Sequence, residues 1–358
     1  MYLTRFSAQN YRNLKDFCID CKSGLNLIWG DNAQGKTNFI EAIYCLGNLR
    51  GFRGSKNSDL IQWGKEFSSV CGLFISPLAS REIQIKIETS KKTAHLNGKP
   101  ASNAREFFSA FPVILFSPEE MALMDKGPAG RRALLDRAVF LVENDYLDKF
   151  RRYQFVLKTR NLLLRENKNR KELDVWTEAF IETAVPVIAA RNLFLKNIIP
   201  DLVQINNYIS GNNDKIDIEL QSGGDIFNKI NFREKIEKVS DKEQEIGYTI
   251  VGPHTEGPVF LLNGKPFKNF ASQGQKRSFL LSFKISQIID YQKKNNKTPI
   301  LLLDDLGSEL DIDRQKRFFE IVFGKVKQIF FTTTDKKFLQ NCGIIPDSCF
   351  HLNQGDIK

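Results

Sequence analysis

The segment Gly30-Asp31-Asn32-Ala33-Gln34-Gly35-Lys36-Thr37 fits the spacing G-x-x-x-x-G-K-[ST], and no other stretch restricts the fold as much. The pattern has meaning only as a strand–loop–helix turn. Here Leu25-Asn26-Leu27-Ile28-Trp29 is a short apolar run that ends in glycine, and Phe39, Ala42, Ile43 and Leu46 follow at helical spacing. Glycines let backbone N–H groups wrap phosphates with no Cβ in the way. Lys36 brings a point charge to the β- and γ-phosphates, and the Thr37 hydroxyl can ligate Mg²⁺. The following helix aims its positive end at the same anions. ATP and Mg²⁺ are therefore the expected ligands.

Leu301-Leu302-Leu303-Asp304-Asp305 fits a second buried strand whose end carries carboxylates. Asp304 would hold Mg²⁺ through water, and Asp305 would polarise an attacking water. The alternative is a strand followed by an ordinary helix N-cap, where Asp is also favoured. About thirty residues upstream, Ser272-Gln273-Gly274-Gln275 precedes the helical run Arg277–Tyr291. A small polar residue, a glycine and a helix start make another anion-binding end. One nucleotide does not need two such ends in one chain. The second makes sense if it caps the γ-phosphate of a nucleotide held by another subunit. Ser308, Glu309 and Asp311, just past the carboxylate strand, would then lie at the same subunit boundary.

The pattern around these motifs is α/β, interrupted. Glu82–Glu88 alternates Ile83, Ile85 and Ile87 with polar residues, as a half-buried antiparallel strand does. Asn97-Gly98 and Asn263-Gly264 each sit in Leu-Asn-Gly-Lys-Pro and predict two similar hairpin tips. Between them, Ala129–Asn161 and Leu173–Ile205 have helical spacing, and a polar stretch, Ser210–Gly224, leads out. Pro299–Leu303 and Gln328–Phe331 are continuous apolar runs, as in parallel strands covered on both faces.

Hydrophobic residues are 42% and charged residues 26% of the 358, an ordinary globular balance that excludes collagen-like and wholly disordered chains. The net charge of +10 suits an anionic partner. Arg131–Pro200 holds fourteen Lys/Arg against nine Asp/Glu, so the helical region carries part of the excess, unless this is only a solvated face. No run of eighteen apolar residues exists, and Met1–Phe6 lacks a signal-peptide core, so no membrane association and a cytoplasmic location are expected. Six scattered cysteines lack the paired spacing of a zinc site, and Cys18-x-x-Cys21 is expected to be buried, reduced and structural.

Taken together, the phosphate loop, S-Q-G-Q segment, L-L-L-D-D strand and S-E-L-D loop resemble an ATP-binding-cassette head of the SMC-like kind. More narrowly, the chain resembles the RecF family of bacterial DNA replication and repair proteins. The resemblance also rests on Gln9–Asn13, on Gly35-Lys36-Thr37-Asn38 with Glu41-Ala42-Ile43, and on Phe116–Glu120. Further support comes from Gly130-Arg131-Arg132 with Leu135-Asp136, from Val251-Gly252-Pro253-His254, and from Thr332–Asp335. It departs at Thr255-Glu256-Gly257, where the family has a basic residue and carboxylates, and at Ala33, where glycine is common.

The resemblance implies an α/β P-loop head, residues 1–117 and 245–358, split by a mainly helical arm, residues 118–244. Asn38 joins the ATP-binding segment. ATP would join two heads into a homodimer, with Lys36 of one against Ser272 of the other. Slow, DNA-stimulated hydrolysis would release it. The dimer would bind double-stranded DNA near single-strand gaps and, with RecO and RecR, help load a recombinase. Thr334 is a candidate sensor of the γ-phosphate. Arg53 and His254 are open between site and structural roles. A cassette ATPase subunit of a nuclease or other DNA-processing complex is the alternative function.

Overall fold

The computed structural model describes residues 2–76, 79–101, 104–166, 170–211, 214–220, 229–306 and 311–358. The chain divides into two compact units, Met1–Met121 with Ile205–Asn212 and Ser272–Lys358, and Ala122–Gln204 with Asn213–Ala271.

The first unit begins with β1 (Tyr2–Gln9), β2 (Phe17–Asp20) and β3 (Gly24–Trp29), followed by α1 (Lys36–Asn48) and α2 (Asn57–Leu60). Then come β4 (Phe67–Ser76), β5 (Ala79–Glu88), β6 (Lys92–Leu96), β7 (Lys99–Pro100), α3 (Ala104–Ala110), β8 (Val113–Phe116) and the start of α4 (Pro118–Asp125). Strands β2-β1-β4-β5-β6-β7 form an antiparallel sheet. Its β5 buries Ile83, Ile85 and Ile87 and exposes their neighbours, as the alternation predicts. The tip between β6 and β7 places Asn97 and Gly98 at positive φ, the geometry that Asn-Gly favours.

The second unit is helical with a small sheet. It contains α5 (Gly127–Val142), α6 (Tyr146–Glu166), most of α7 (Arg170–Ser210), β9 (Ile216–Leu220), α8 (Lys229–Ile246), β10 (Pro258–Leu262), β11 (Lys265–Pro266) and α9 (Phe267–Phe270). Two differences from the sequence-based boundaries stand out. The polar stretch after Ser210 contains β9, which alternates Ile216, Ile218 inward and pairs antiparallel with β10. That pairing holds Glu245–Ala271 in the second unit rather than in the head, and the last residues of α7, Ile205–Ser210, group with the first unit.

The chain returns to the first unit with α10 (Gln273–Asn295), β12 (Ile300–Leu303), α11 (Ile312–Lys325), β13 (Gln328–Thr333), α12 (Phe338–Asn341), β14 (Ser348–Asn353) and β15 (Asp356–Ile357). These complete a second sheet, β15-β14-β3-β13-β12-β8, in which β14, β3, β13, β12 and β8 are parallel. The fully buried runs of β12 and β13 match their lack of alternation.

Helix α1 packs between the two sheets. Phe39, Ile40, Ile43 and Leu46 meet Phe6, Val70 and Phe74 on one side and Ile28, Leu302 and Phe330 on the other. Each such side chain contributes about 1.5–3 kcal/mol on burial. The helix that begins at the phosphate loop is thus fixed from both faces. All six cysteines are free thiols, and Cys18 is exposed rather than buried because it shares the outward face of β2 with Asp20, Phe17 and Ile19 taking the other. No helix among the described residues is long and apolar enough to cross a membrane.

Candidate functional site

The loop between β3 and α1 is shaped by backbone that only a few residues accept. Gly35 (φ 112°) is the N-cap of α1, and Gly30 (φ 157°) lies so close to β14 that a Cβ would stand 2.2 Å from the Leu352 carbonyl oxygen. Ala33 adopts φ 64° where its Cβ is disfavoured, which explains why glycine suits that position. Gln34 faces the chain end: its side-chain oxygen accepts from the Gln354 N–H (2.5 Å) and its carbonyl from the Gly355 N–H (3.1 Å). No side chain caps α1, so its first amides remain directed at whatever the loop holds.

Lys36 curls back over the loop. Its ammonium donates to the carbonyls of Gly30 (2.7 Å) and Asp31 (2.6 Å). Burial pulls its pKa down, while Asp305, Asp304 and Asp31 oppose that shift.

Asp304 ends β12 and is buried, 2% exposed. It accepts from the hydroxyls of Thr332 (2.7 Å) and Thr37 (3.3 Å). Burial pushes its carboxyl up to about 6, against the lowering effect of those two hydroxyls. A buried carboxylate beside the loop threonine, accepting from two hydroxyls, fits an oxygen-ligated divalent cation such as Mg²⁺. Asp305 is exposed, sits at φ 49°, and donates its N–H to Thr332 Oγ1 (3.1 Å). Neither carboxylate is a helix N-cap. Asp311 takes that part for α11, accepting from the Arg314 N–H at 2.9 Å.

These groups line one pocket of about 290 Å³. From the loop it includes Asn32, Ala33, Gly35, Lys36, Thr37 and Asn38, and opposite them Asp304, Asp305, Thr332 and Thr334. Arg53 and Asn13 complete it; Arg53 pairs with Glu119 (3.5 Å), and Asn13 accepts from Asn38 (2.6 Å). Gly30, Asp31 and Gln34 shape the loop without lining the pocket. Sequence pattern alone does not mark Thr332 and Asn13 as site residues. Thr332 becomes visible only with the register of β13, which pairs Phe331 with Leu303 and so brings the next residues, Thr332 and Asp304, side by side.

The S-Q-G-Q segment is not among the residues that line this pocket. Ser272 is exposed and caps α10: its hydroxyl accepts from the Gln275 N–H (3.2 Å), and Gln275 Oε1 accepts from the Ser272 N–H (2.9 Å). Gln273 beside it is exposed, and Gly274 lies against Arg314, whose guanidinium would stand 2.8 Å from a Cβ there. Ser308 and Glu309 lie outside the described residues. His254, in the second unit, is bonded to Tyr153 Oη (2.6 Å) and the Thr249 carbonyl (2.9 Å) and is not among the residues that line this pocket.

A phosphate loop on one parallel strand, paired carboxylates on another and an antiparallel sheet over the loop helix define an SMC-like ATP-binding-cassette head. The family model of the RecF/RecN/SMC N terminal domain matches residues 2–355. The chain belongs to this family and, within it, to the RecF proteins. It is 39% identical to the DNA replication and repair protein RecF of Syntrophotalea carbinolica, over 100% of this chain and 99% of that one. The RecF of Geotalea uraniireducens is 36% identical, with both chains covered in full. A solved structure of the recombination mediator protein RecF with ATP, in the RecFOR pathway, superposes with a TM-score of 0.88 at 30% identity, covering 100% of this chain and 97% of that one. An SMC head bound to the C-winged helix domain of ScpA shares the fold, with a TM-score of 0.59 at 16% identity over 100% of this chain and 96% of that one.

Proposed function

We propose that this RecF-family chain is an ATP-driven DNA clamp. Lys36, the first-turn amides of α1 and the loop backbone bind the triphosphate, and Thr37 and Asp304 hold Mg²⁺, Asp304 through water. Bound Mg²⁺ supplies positive charge that offsets the charge on the phosphates. Asp305 polarises the attacking water, and Thr334 senses the γ-phosphate. Ser272 to Gln275 of a second copy close over the nucleotide, with Ser308, Glu309 and Asp311 at the boundary. The closed homodimer binds double-stranded DNA near single-strand gaps and, with RecO- and RecR-type partners, helps load a recombinase. Slow hydrolysis opens it.

The observation that carries this reading is a pocket lined by phosphate- and metal-binding groups of one chain, whose lining does not include Ser272 to Gln275. One chain therefore binds ATP, and a second copy supplies what is missing. Light scattering with and without ATP and Mg²⁺ tests it, beside ATPase assays with and without duplex DNA. The mass should double with ATP, and duplex DNA should raise a low turnover. Lys36→Ala should lose ATP affinity and both effects. A chain that stays monomeric with saturating ATP, or a Lys36→Ala variant that binds ATP normally, would overturn it.

A further inference from the structure

Trp63 is 99% exposed. A tryptophan carries a large apolar ring and is usually mostly buried, so one left bare is informative. It stands at the tip of the turn Gln62–Lys65, closed by the Lys65 N–H on the Gln62 carbonyl at 3.0 Å. Gly64 follows at φ 76°, and a Cβ there would meet nothing within 4 Å, so the tip stands clear of the body. Its base is fixed: the Gln62 N–H donates to the Asn10 carbonyl (2.8 Å), and the buried Ile61 bridges to Tyr11. The indole is held outward on an anchored turn.

The surroundings are cationic. Strand β4 starts at Phe67 opposite Glu88, so the Trp63 turn and the turn Glu88–Lys91 lie at the same end of the sheet. Asn57 Nδ2 donates to the Glu88 carbonyl (3.1 Å) and brings Lys56 there, while Lys92 donates to the Leu49 carbonyl (2.9 Å) beside Arg50. Glu66, beside Lys65, is exposed, and the other two local acids are engaged. Glu88 pairs with Lys86 and Lys91 (3.0 and 3.4 Å), and Asp59 accepts the Lys56 N–H (2.8 Å). Among the described residues, Lys56 and Lys65 have no ion pair and are exposed.

We propose that this sheet end is a nucleic-acid contact in which Lys56 and Lys65 meet phosphates and the Trp63 indole stacks on an unpaired base. It rests on the DNA-binding reading above and deepens it. A continuous duplex offers base edges but no free base faces, so the ring has no partner there. Where the duplex gives way to single strand, a base face becomes available, and stacking on an aromatic side chain is tolerant of sequence. The lysines add a salt-dependent attraction common to both DNA forms. The ring thus makes the contact selective for a gap.

The test uses the full chain with ATP and Mg²⁺ and three fluorescently labelled DNAs: a continuous duplex, a gapped duplex and a single strand. Trp63→Ala should weaken gapped-duplex binding on the order of tenfold and leave the continuous duplex within about twofold. Trp63→Phe should keep most of the preference. Lys56→Gln with Lys65→Gln should weaken both duplexes alike and reduce the salt slope by about 2. DNA should quench tryptophan emission in the wild type, and that quenching should vanish in Trp63→Phe, which retains Trp29 and Trp176. All variants change exposed side chains and should melt as the wild type does. An unchanged gapped-to-continuous ratio in Trp63→Ala, or quenching that persists in Trp63→Phe, overturns the Trp63 assignment while leaving DNA binding intact. A wild type that binds no DNA overturns both.

Discussion

One hydroxyl links the two carboxylate residues. Thr332 donates to Asp304 and accepts from the Asp305 N–H, and it is fully buried. Thr332→Val keeps the shape and removes both bonds. The Asp304 carboxylate then keeps the longer bond from Thr37. A lost hydrogen bond to a charged group costs about 1.5–3 kcal/mol, so the variant should melt several degrees lower. Single-turnover hydrolysis should slow while ATP binding persists, and Thr332→Ser should recover most of both. Normal single-turnover rates in Thr332→Val would show that the hydroxyl does not orient the carboxylates. Asp305→Asn is a different probe. Asn accepts the left-handed φ of that position as Asp does, so the backbone stays and only the charge goes. Hydrolysis should slow and the ATP-bound dimer should persist longer. An unchanged single-turnover rate would make Asp305 structural.

At the level of elements, the turn from Gly252 to Gly257 shows how charge holds backbone. Arg191 donates to the Pro253 carbonyl (2.8 Å) while pairing through two nitrogens with Asp136 (2.8 and 2.9 Å), and Arg132 donates to the Thr255 carbonyl (3.1 Å). Within this turn, burial pushes Glu256 up to about 7, with Lys235 and Arg191 opposing. An acid whose folded pKa lies above its ordinary 4.5 binds more protons folded than unfolded. Its contribution is therefore most favourable below that ordinary value and falls as pH rises toward 7. The melting temperature should drop from about pH 5 to about pH 8, and Glu256→Gln should flatten that slope. Equal slopes would assign the titration elsewhere. Much of the element layer was legible beforehand, because local pattern dictates it. The alternation of Ile83, Ile85 and Ile87, the unbroken run Ile300–Leu303 and the two Asn-Gly tips each settle an element from a few adjacent residues. Strand β9 was not legible, because five residues in a polar stretch become a strand only through pairing with Pro258–Leu262, about forty positions on. The site role of Thr332 and the partner of Gln34 were hidden for the same reason: they are set by strand register and by the approach of the Gln354–Gly355 turn, not by neighbours in sequence.

For the whole molecule, the two anion-binding helix starts behave differently, and the difference can be tested. Helix α1 starts without a side-chain cap and opens into the pocket, whereas α10 is capped by its own Ser272 and Gln275 outside the pocket lining. A single chain should therefore bind ATP without Ser272. Ser272→Arg removes the cap, at a cost of about 1 kcal/mol, small against a typical stability of about 5–15 kcal/mol, so the fold should survive. Filter assays should show nearly normal ATP binding. ATP-induced dimerisation, hydrolysis and the ATP-dependent part of DNA binding should fail together, since each needs the closed pair. Lys36→Ala should fail one step earlier, at ATP binding itself. Mixing the two variants leaves one composite site, with Lys36 from one chain and Ser272 from the other. The mixture should regain part of the ATPase activity only if one site closes without its twin, and it should never exceed half of the wild-type rate per chain, because only mixed pairs contain an intact site. The decisive quantity is the mass of Ser272→Arg with ATP by light scattering. If it dimerises as the wild type does, the composite site is wrong, and the Ser272 hydroxyl serves its own helix and nothing across the boundary.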